Sequence, residues 1–195
     1  MTEKLKEIWL VRHGETEWSI SGAHTGRTDI PLTQRGQERA ESIRKYLNKR
    51  MFDRVLVSPR LRAKETCRIA GYGDMAIVND NLCEWDYGIY EGKKTIEIRQ
   101  EIPDWSIWTH PIPDGESIHQ VAARARAIIK IAQETGGSIA LFSHGHFLRI
   151  FVATWLGLPP EIGKHFVLST GSVSVLGFER EEHVVVSWNR ALENE

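Results

Sequence analysis

The chain has 195 residues, 41% of them apolar and 26% charged, which fits one folded domain able to bury its own core. Its 25 basic residues nearly cancel 26 acidic ones, leaving a net charge of -1, so no global field recruits nucleic acid or an anionic membrane. Two cysteines, Cys67 and Cys83, are too few for a disulfide scaffold, and no unbroken apolar run reaches membrane-spanning length.

In chain order, Met1 to Glu7 is charged and lacks the apolar stretch of a signal peptide, so a cytoplasmic location is expected. Ile8-Trp9-Leu10-Val11 reads as a buried strand that delivers Arg12-His13-Gly14-Glu15-Thr16. Burying a guanidinium is costly unless an anion meets it. In open α/β sheets, ligands bind at the carboxyl ends of strands. His13 is therefore read as a nucleophile and Arg12 as one arm of a phosphate clamp. The competing reading is a charged strand end with a solvated histidine.

Residues 15–30 show little periodicity: a partly helical start, then a loop over Trp18 whose His24, Thr25 and Gly26 could face a ligand. Thr33 is a plausible N-cap, and Ala40, Ile43 and Leu47 mark one helix face through about Lys49. Residues 52–57 form a second strand. Ser58 as N-cap and Pro59 at the first helical position then predict a helix toward Ala70, with Arg62 in its first turn. A short strand over 75–78 precedes a loop rich in acids and aromatics. There Glu84 is a candidate proton donor whose carboxyl pKa burial would raise; with Asp86, Glu91 and Glu97 nearby, a solvated acidic loop is the alternative.

Residues 94–102 read as a short helix, and residues 103–117 as an aromatic, proline-broken segment suited to capping a pocket and selecting substrate. Ile118, Val121, Ala122, Ala125, Ile128, Ile129 and Ala132 then mark a long helix ending at Gly136-Gly137, with Arg124 and Arg126 toward solvent or its flanks. A buried strand over 138–142 delivers Ser143-His144-Gly145-His146 into another helix, repeating the opening design. Strands over 173–178 and 184–188 form a hairpin at one sheet edge.

This order predicts an α/β fold over residues 1–195: a three-layer α/β/α sandwich with a mostly parallel central sheet and an antiparallel edge strand. Arg12, His13, Arg62 and His144 would share one sheet edge, with Glu84 reaching over it. Two histidines, two arginines and a carboxyl group suit phosphoryl transfer, which depends on positioning and on stabilising spread negative charge.

The run Leu10-Val11-Arg12-His13-Gly14-Glu15-Thr16 resembles the signature of the histidine phosphatase superfamily, in its phosphoglycerate mutase-like branch. Ser58-Pro59…Arg62-Ala63…Thr66, Glu84-Trp85-Asp86-Tyr87-Gly88 and Ser143-His144-Gly145-His146 extend the resemblance over nearly the whole chain. It implies His13 as the phosphorylated nucleophile, Arg12, Arg62 and His144 as phosphoryl ligands, and Glu84 as proton donor. Thr25, Gly26 and Tyr87 match substrate-facing positions. Ser19 stands where many members have asparagine, a departure at a substrate-binding position, and His146 sits at the pocket rim.

The finer pattern looks like a group containing mycobacterial acid phosphatases and fungal sedoheptulose-bisphosphatases, implying a small phosphorylated substrate such as a sugar phosphate. The mutases of the branch use an Arg-Arg pair to hold a second anion. This chain has Lys93-Lys94 but no Arg-Arg between Gly92 and Gly115, which favours hydrolysis. His13, His144, His146 and Glu84 could in composition ligate zinc, but two arginines aimed at the same point would repel a dication. No metal and no cofactor is expected. A homodimer is left open; nucleic acid and membrane are not expected partners.

Overall fold

The computed structural model describes residues 4–192, so the charged start Met1-Thr2-Glu3 lies outside the described residues. Six strands form one sheet: β1 (Leu5–Arg12), β2 (Arg54–Val57), β3 (Ala76–Val78), β4 (Gly137–Ser143), β5 (Ser172–Glu179) and β6 (Glu182–Ala191). Their spatial order is β3-β2-β4-β1-β5-β6. The pairs β3/β2, β2/β4 and β4/β1 are parallel, whereas β1/β5 and β5/β6 are antiparallel. Antiparallel pairing is thus confined to one side of the sheet, as expected. The reversed strand is β5, and β6 lies outermost.

The helices are α1 (Glu17–Ser21), α2 (Gln34–Leu47), α3 (Leu61–Ile69), α4 (Thr95–Glu101), α5 (Ile118–Thr135) and α6 (Gly145–Trp155). Side-chain alternation along each strand separates the two cores. Ile8 and Leu10 of β1, with Ile139 and Leu141 of β4, pack against Val121, Ile128, Phe147 and Phe151 of α5 and α6. Trp9, Val11, Ala140 and Phe142 point the other way, toward Ile43 and Leu47 of α2 and Ala63 and Cys67 of α3. Helices cover both faces.

Two sequence expectations need correction. Helix α3 starts at Leu61, with Arg60 rather than Ser58 as N-cap. The Ser58 hydroxyl meets the ring of His144 at 2.7 Å, so it serves the strand ends. The second strand begins at Arg54 rather than at residue 52, and residues 103–108 form turns.

Candidate active site

Parallel register brings Arg12 of β1 opposite Ser143 of β4, and the His13 amide donates to the Ser143 carbonyl at 3.0 Å. The Ser58 amide donates to the Phe142 carbonyl at 3.0 Å, so the strand ends carrying His13, Ser58 and His144 are stitched together. Immediately after His13 the backbone runs close to α2. A Cβ on Gly14 would lie 2.4 Å from the carbonyl oxygen of Gly36, so only glycine fits there. The Gly14 amide also donates to Thr66 Oγ1 at 3.0 Å, tying the loop to α3.

The His13 ring is wired for attack. Its Nδ1 lies 2.7 Å from the Gly14 carbonyl, an acceptor only, so Nδ1 carries the proton and Nε2 keeps a bare lone pair. Burial, reinforced by Arg62 and Arg12, pushes the His13 pKa well below the ordinary 6.5. The neutral ring is therefore the resting form. His144 lies beside it, ring centroids 5.2 Å apart, and its pKa is depressed by burial and then by Arg62, His13 and Arg12.

Around these rings lie unsatisfied donors. Of the five buried side-chain nitrogens without a partner among the described residues, three are Arg12 Nε, Arg62 Nε and His144 Nδ1. Arg62 is fully buried, and among the described residues no carboxylate forms an ion pair with its guanidinium. Its Nη1 donates to the Thr28 carbonyl at 3.0 Å and its Nη2 to the carbonyls of Thr25 (2.9 Å) and Gly26 (3.2 Å), which leaves Nε open. Arg12 Nη1 donates to the Leu168 carbonyl. Burial lowers the pKa of both guanidiniums, while Glu84 opposes the shift. Buried donors left open around a shared centre are costly unless an anion completes them.

Glu84 is 8% exposed and faces the same pocket. Its Oε1 accepts from the amides of Trp85 (2.9 Å) and Phe147 (2.8 Å), and its Oε2 from the amide of His146 (3.0 Å). The last two donors belong to the first turn of α6, whose dipole favours an anion. Oε1 thus accepts two amides and Oε2 one, so Oε2 is the oxygen with room for a further partner.

Above this floor opens a pocket of about 450 Å³, a size typical of small-molecule sites. Arg12, His13 and Glu84 line its base; Trp18, Trp105 and Trp108 line its walls.

Residues 8–191 match the Histidine phosphatase superfamily (branch 1). The chain belongs to that superfamily. Among relatives of this histidine phosphatase, an acid phosphatase of Mycobacterium tuberculosis is 42% identical over 176 residues, covering 88% of this chain and 86% of the relative. A sedoheptulose 1,7-bisphosphatase of Saccharomyces cerevisiae is 38% identical, over 76% of this chain and 67% of its own length. A solved structure of a functionally characterised M. tuberculosis open reading frame superposes with a TM-score of 0.91 at 38% identity, covering 96% of this chain and 99% of that one.

Other predicted positions in this histidine phosphatase play different parts. Ser19 borders the pocket, but its hydroxyl closes a capping box with Thr16 at the start of α1. The Thr25 hydroxyl donates to the Ala23 carbonyl at 3.1 Å. Gly26 does not line the main pocket; its amide donates to the Glu91 carboxylate at 3.0 Å, as does that of Thr28. Glu91 thereby holds the loop whose carbonyls grip Arg62. Tyr87 and His146 both line the pocket and contact each other at 2.6 Å between Tyr87 Oη and His146 Nδ1.

Arg124, which the sequence places toward solvent or the flanks of its helix, is mostly buried and braces the Glu84 loop. It pairs with Glu116 at 2.7 Å and donates to the carbonyls of Asn81 (3.0 Å), Cys83 (2.8 Å) and Glu84 (3.3 Å). Trp85 is buried and does not line the main pocket; it meets Trp108 edge-on at 5.9 Å. Arg99 and Arg149 line the pocket, and the sequence reading gave neither a role. No group of three or more His, Cys, Asp or Glu able to hold a metal occurs among the described residues. Burial pushes the Cys67 thiol up to about 12, so it is an inert core residue.

The buried histidines make stability depend on pH. Unfolded, the rings of His13 and His144 take protons below pH 6.5; folded, they resist until well below it. The unfolded state then binds more protons, so stability falls as pH drops below 6.5. His146, buried and depressed in the same direction, adds to the fall. Urea unfolding between pH 7.5 and 5.0 checks this; a flat stability across that range would contradict the buried neutral rings.

Proposed function

We propose that this chain is a phosphoric monoester hydrolase acting on a small phosphorylated metabolite through a phosphohistidine on His13. The observation that carries the reading is the bare Nε2 of a neutral His13 set among the unpartnered donors of Arg12, Arg62 and His144. A phosphoryl group seated there would satisfy all three at once. Arg12 and Arg62, the latter through its open Nε, stabilise charge on its equatorial oxygens while Nε2 attacks phosphorus in line with the departing oxygen.

His144 donates while neutral only if Nδ1 carries its proton. That requires the Ser58 hydroxyl to donate to Nε2, and the Arg60 amide approaching Ser58 Oγ at 3.3 Å favours this direction. Glu84 supplies a proton from Oε2 to the leaving alcohol, then takes one from the water that hydrolyses the phosphohistidine. A small substrate fits the 450 Å³ pocket, and the acid phosphatase and bisphosphatase relatives support the reaction class.

The alternative is a phosphoglycerate mutase. In its favour, a probable phosphoglycerate mutase of an Enterobacter species is 28% identical over 192 residues, and Arg99 adds a cation to the pocket. Against it stands the missing Arg-Arg pair between Gly92 and Gly115. A panel of phosphorylated metabolites and phosphoproteins, assayed for phosphate release, separates the two. Robust release from a small metabolite is expected, without conversion of 3-phosphoglycerate to its 2-isomer in the presence of a bisphosphate primer. Efficient isomerisation with little release would overturn the hydrolase reading.

A further inference from the structure

Two histidines that line the pocket, His24 and His146, take no part in the proposed chemistry, and His146 is the one whose backbone holds Glu84. It follows Gly145 in the first turn of α6, and its own amide holds Glu84 Oε2 at 3.0 Å. Its backbone therefore adjoins the atom that would protonate the leaving oxygen, and its ring lines the same pocket. Trp108 and Trp85 meet it edge-on at 5.3 and 6.3 Å, Tyr87 at 5.9 Å, and His24 stands 6.2 Å away, so the ring has little room to turn.

The hydrogen bond to Tyr87 decides its tautomer. Tyr87 is 2% exposed, and His146 Nδ1 at 2.6 Å is the one acceptor found for its hydroxyl among the described residues. A buried hydroxyl must place its hydrogen on an acceptor, so Tyr87 donates and Nδ1 accepts. Burial, followed by Arg149, His24 and Arg12, keeps the His146 pKa well below 6.5, and burial keeps the Tyr87 hydroxyl protonated. The ring proton then resides on Nε2, for which no protein partner is found among the described residues while the ring lines the pocket.

We infer that His146 Nε2–H, its tautomer fixed by Tyr87, is a neutral donor that reads an oxygen beside the ester. The preferred substrates are phosphate monoesters whose alcohol carries a hydroxyl or carbonyl next to the phosphorylated carbon. This inference rests on the phosphatase reading. In it Tyr87 is a positioning residue, acting on the substrate through His146. A site built to hydrogen-bond a substrate oxygen rejects the analogue that lacks it, because its own donor is then left unpaired.

The test compares glycerol 3-phosphate with n-propyl phosphate, the same chain without hydroxyls. The wild type should favour the glycerol ester by at least about tenfold in kcat/KM. His146→Phe should bring the ratio close to one. His146→Gln, whose amide restores a donor near the Nε2 position, should recover most of it, and Tyr87→Phe should reduce it several-fold. A generally damaged pocket would slow both esters alike and leave their ratio unmoved. Should His146→Phe fail to fold, the contrast between His146→Gln and Tyr87→Phe decides.

Equal rates on the two esters in the wild type, or an undiminished ratio in both Tyr87→Phe and His146→Phe, would overturn the inference while leaving the phosphatase reading intact. Absence of phosphate release from both esters and from p-nitrophenyl phosphate would overturn both.

Discussion

His13→Ala should abolish phosphate release, with a loss on the order of 10⁴-fold or more, as expected when a covalent nucleophile is removed. The substitution deletes the side chain whose unprotonated nitrogen is set among the donors of Arg12, Arg62 and His144. The phosphate should still bind, because those donors remain and the alanine opens space. Two measurements check this. Brief mixing with labelled substrate should trap an acid-labile, base-stable phosphoenzyme in the wild type and none in the variant. Vanadate or phosphate should continue to raise the variant's melting temperature. Full turnover by His13→Ala would end the covalent mechanism.

Glu84→Gln is expected to cost about 10²–10⁴-fold on alkyl phosphates, whose leaving alkoxide needs a proton. It should cost far less on p-nitrophenyl phosphate, whose phenolate departs unaided. The glutamine is not a silent replacement. With its oxygen kept at the Trp85 and Phe147 amides, its NH₂ would face the His146 amide, setting donor against donor. Some ground is lost on both substrates for that reason, so the ratio between the two carries the information. Equal losses would count against Glu84 as the acid.

Much of this site is legible in the amino-acid sequence. Strands β1 and β4 are unbroken apolar runs, and the parallel arrangement forces their carboxyl ends together, so Arg12-His13 and His144 had to converge. The 3.6-residue periodicity of α5 was equally plain. What escaped were contacts made to distant main-chain atoms. Arg124 binds the carbonyls of residues 81, 83 and 84, and Glu91 binds the amides of Gly26 and Thr28. Carbonyls and amides are present at nearly every residue, so no pattern of residue types marks which ones will be used. Ser58 failed for a related reason: it has the signature of a cap, and the fold uses its hydroxyl on a histidine 86 positions away.

The seam beneath the pocket wall has a further consequence. The amide of Ile89 donates to the Pro113 carbonyl at 3.1 Å, and that of Glu116 to the Asp86 carbonyl at 3.1 Å. Gly88 and Gly115 let the two stretches touch: a Cβ on Gly88 would lie 2.0 Å from the Pro113 oxygen, and one on Gly115 2.5 Å from that of Asp86. The carboxyl end of the segment that carries Trp105 to Trp108 thus hangs from an anchor made of backbone. A lineage could exchange Ser106 or Trp108, the half-buried members of that stretch, and drift toward new metabolites while the buried Trp105 and Ile107 and the bond-breaking groups stayed where they were. The two glycines are what such a lineage must keep.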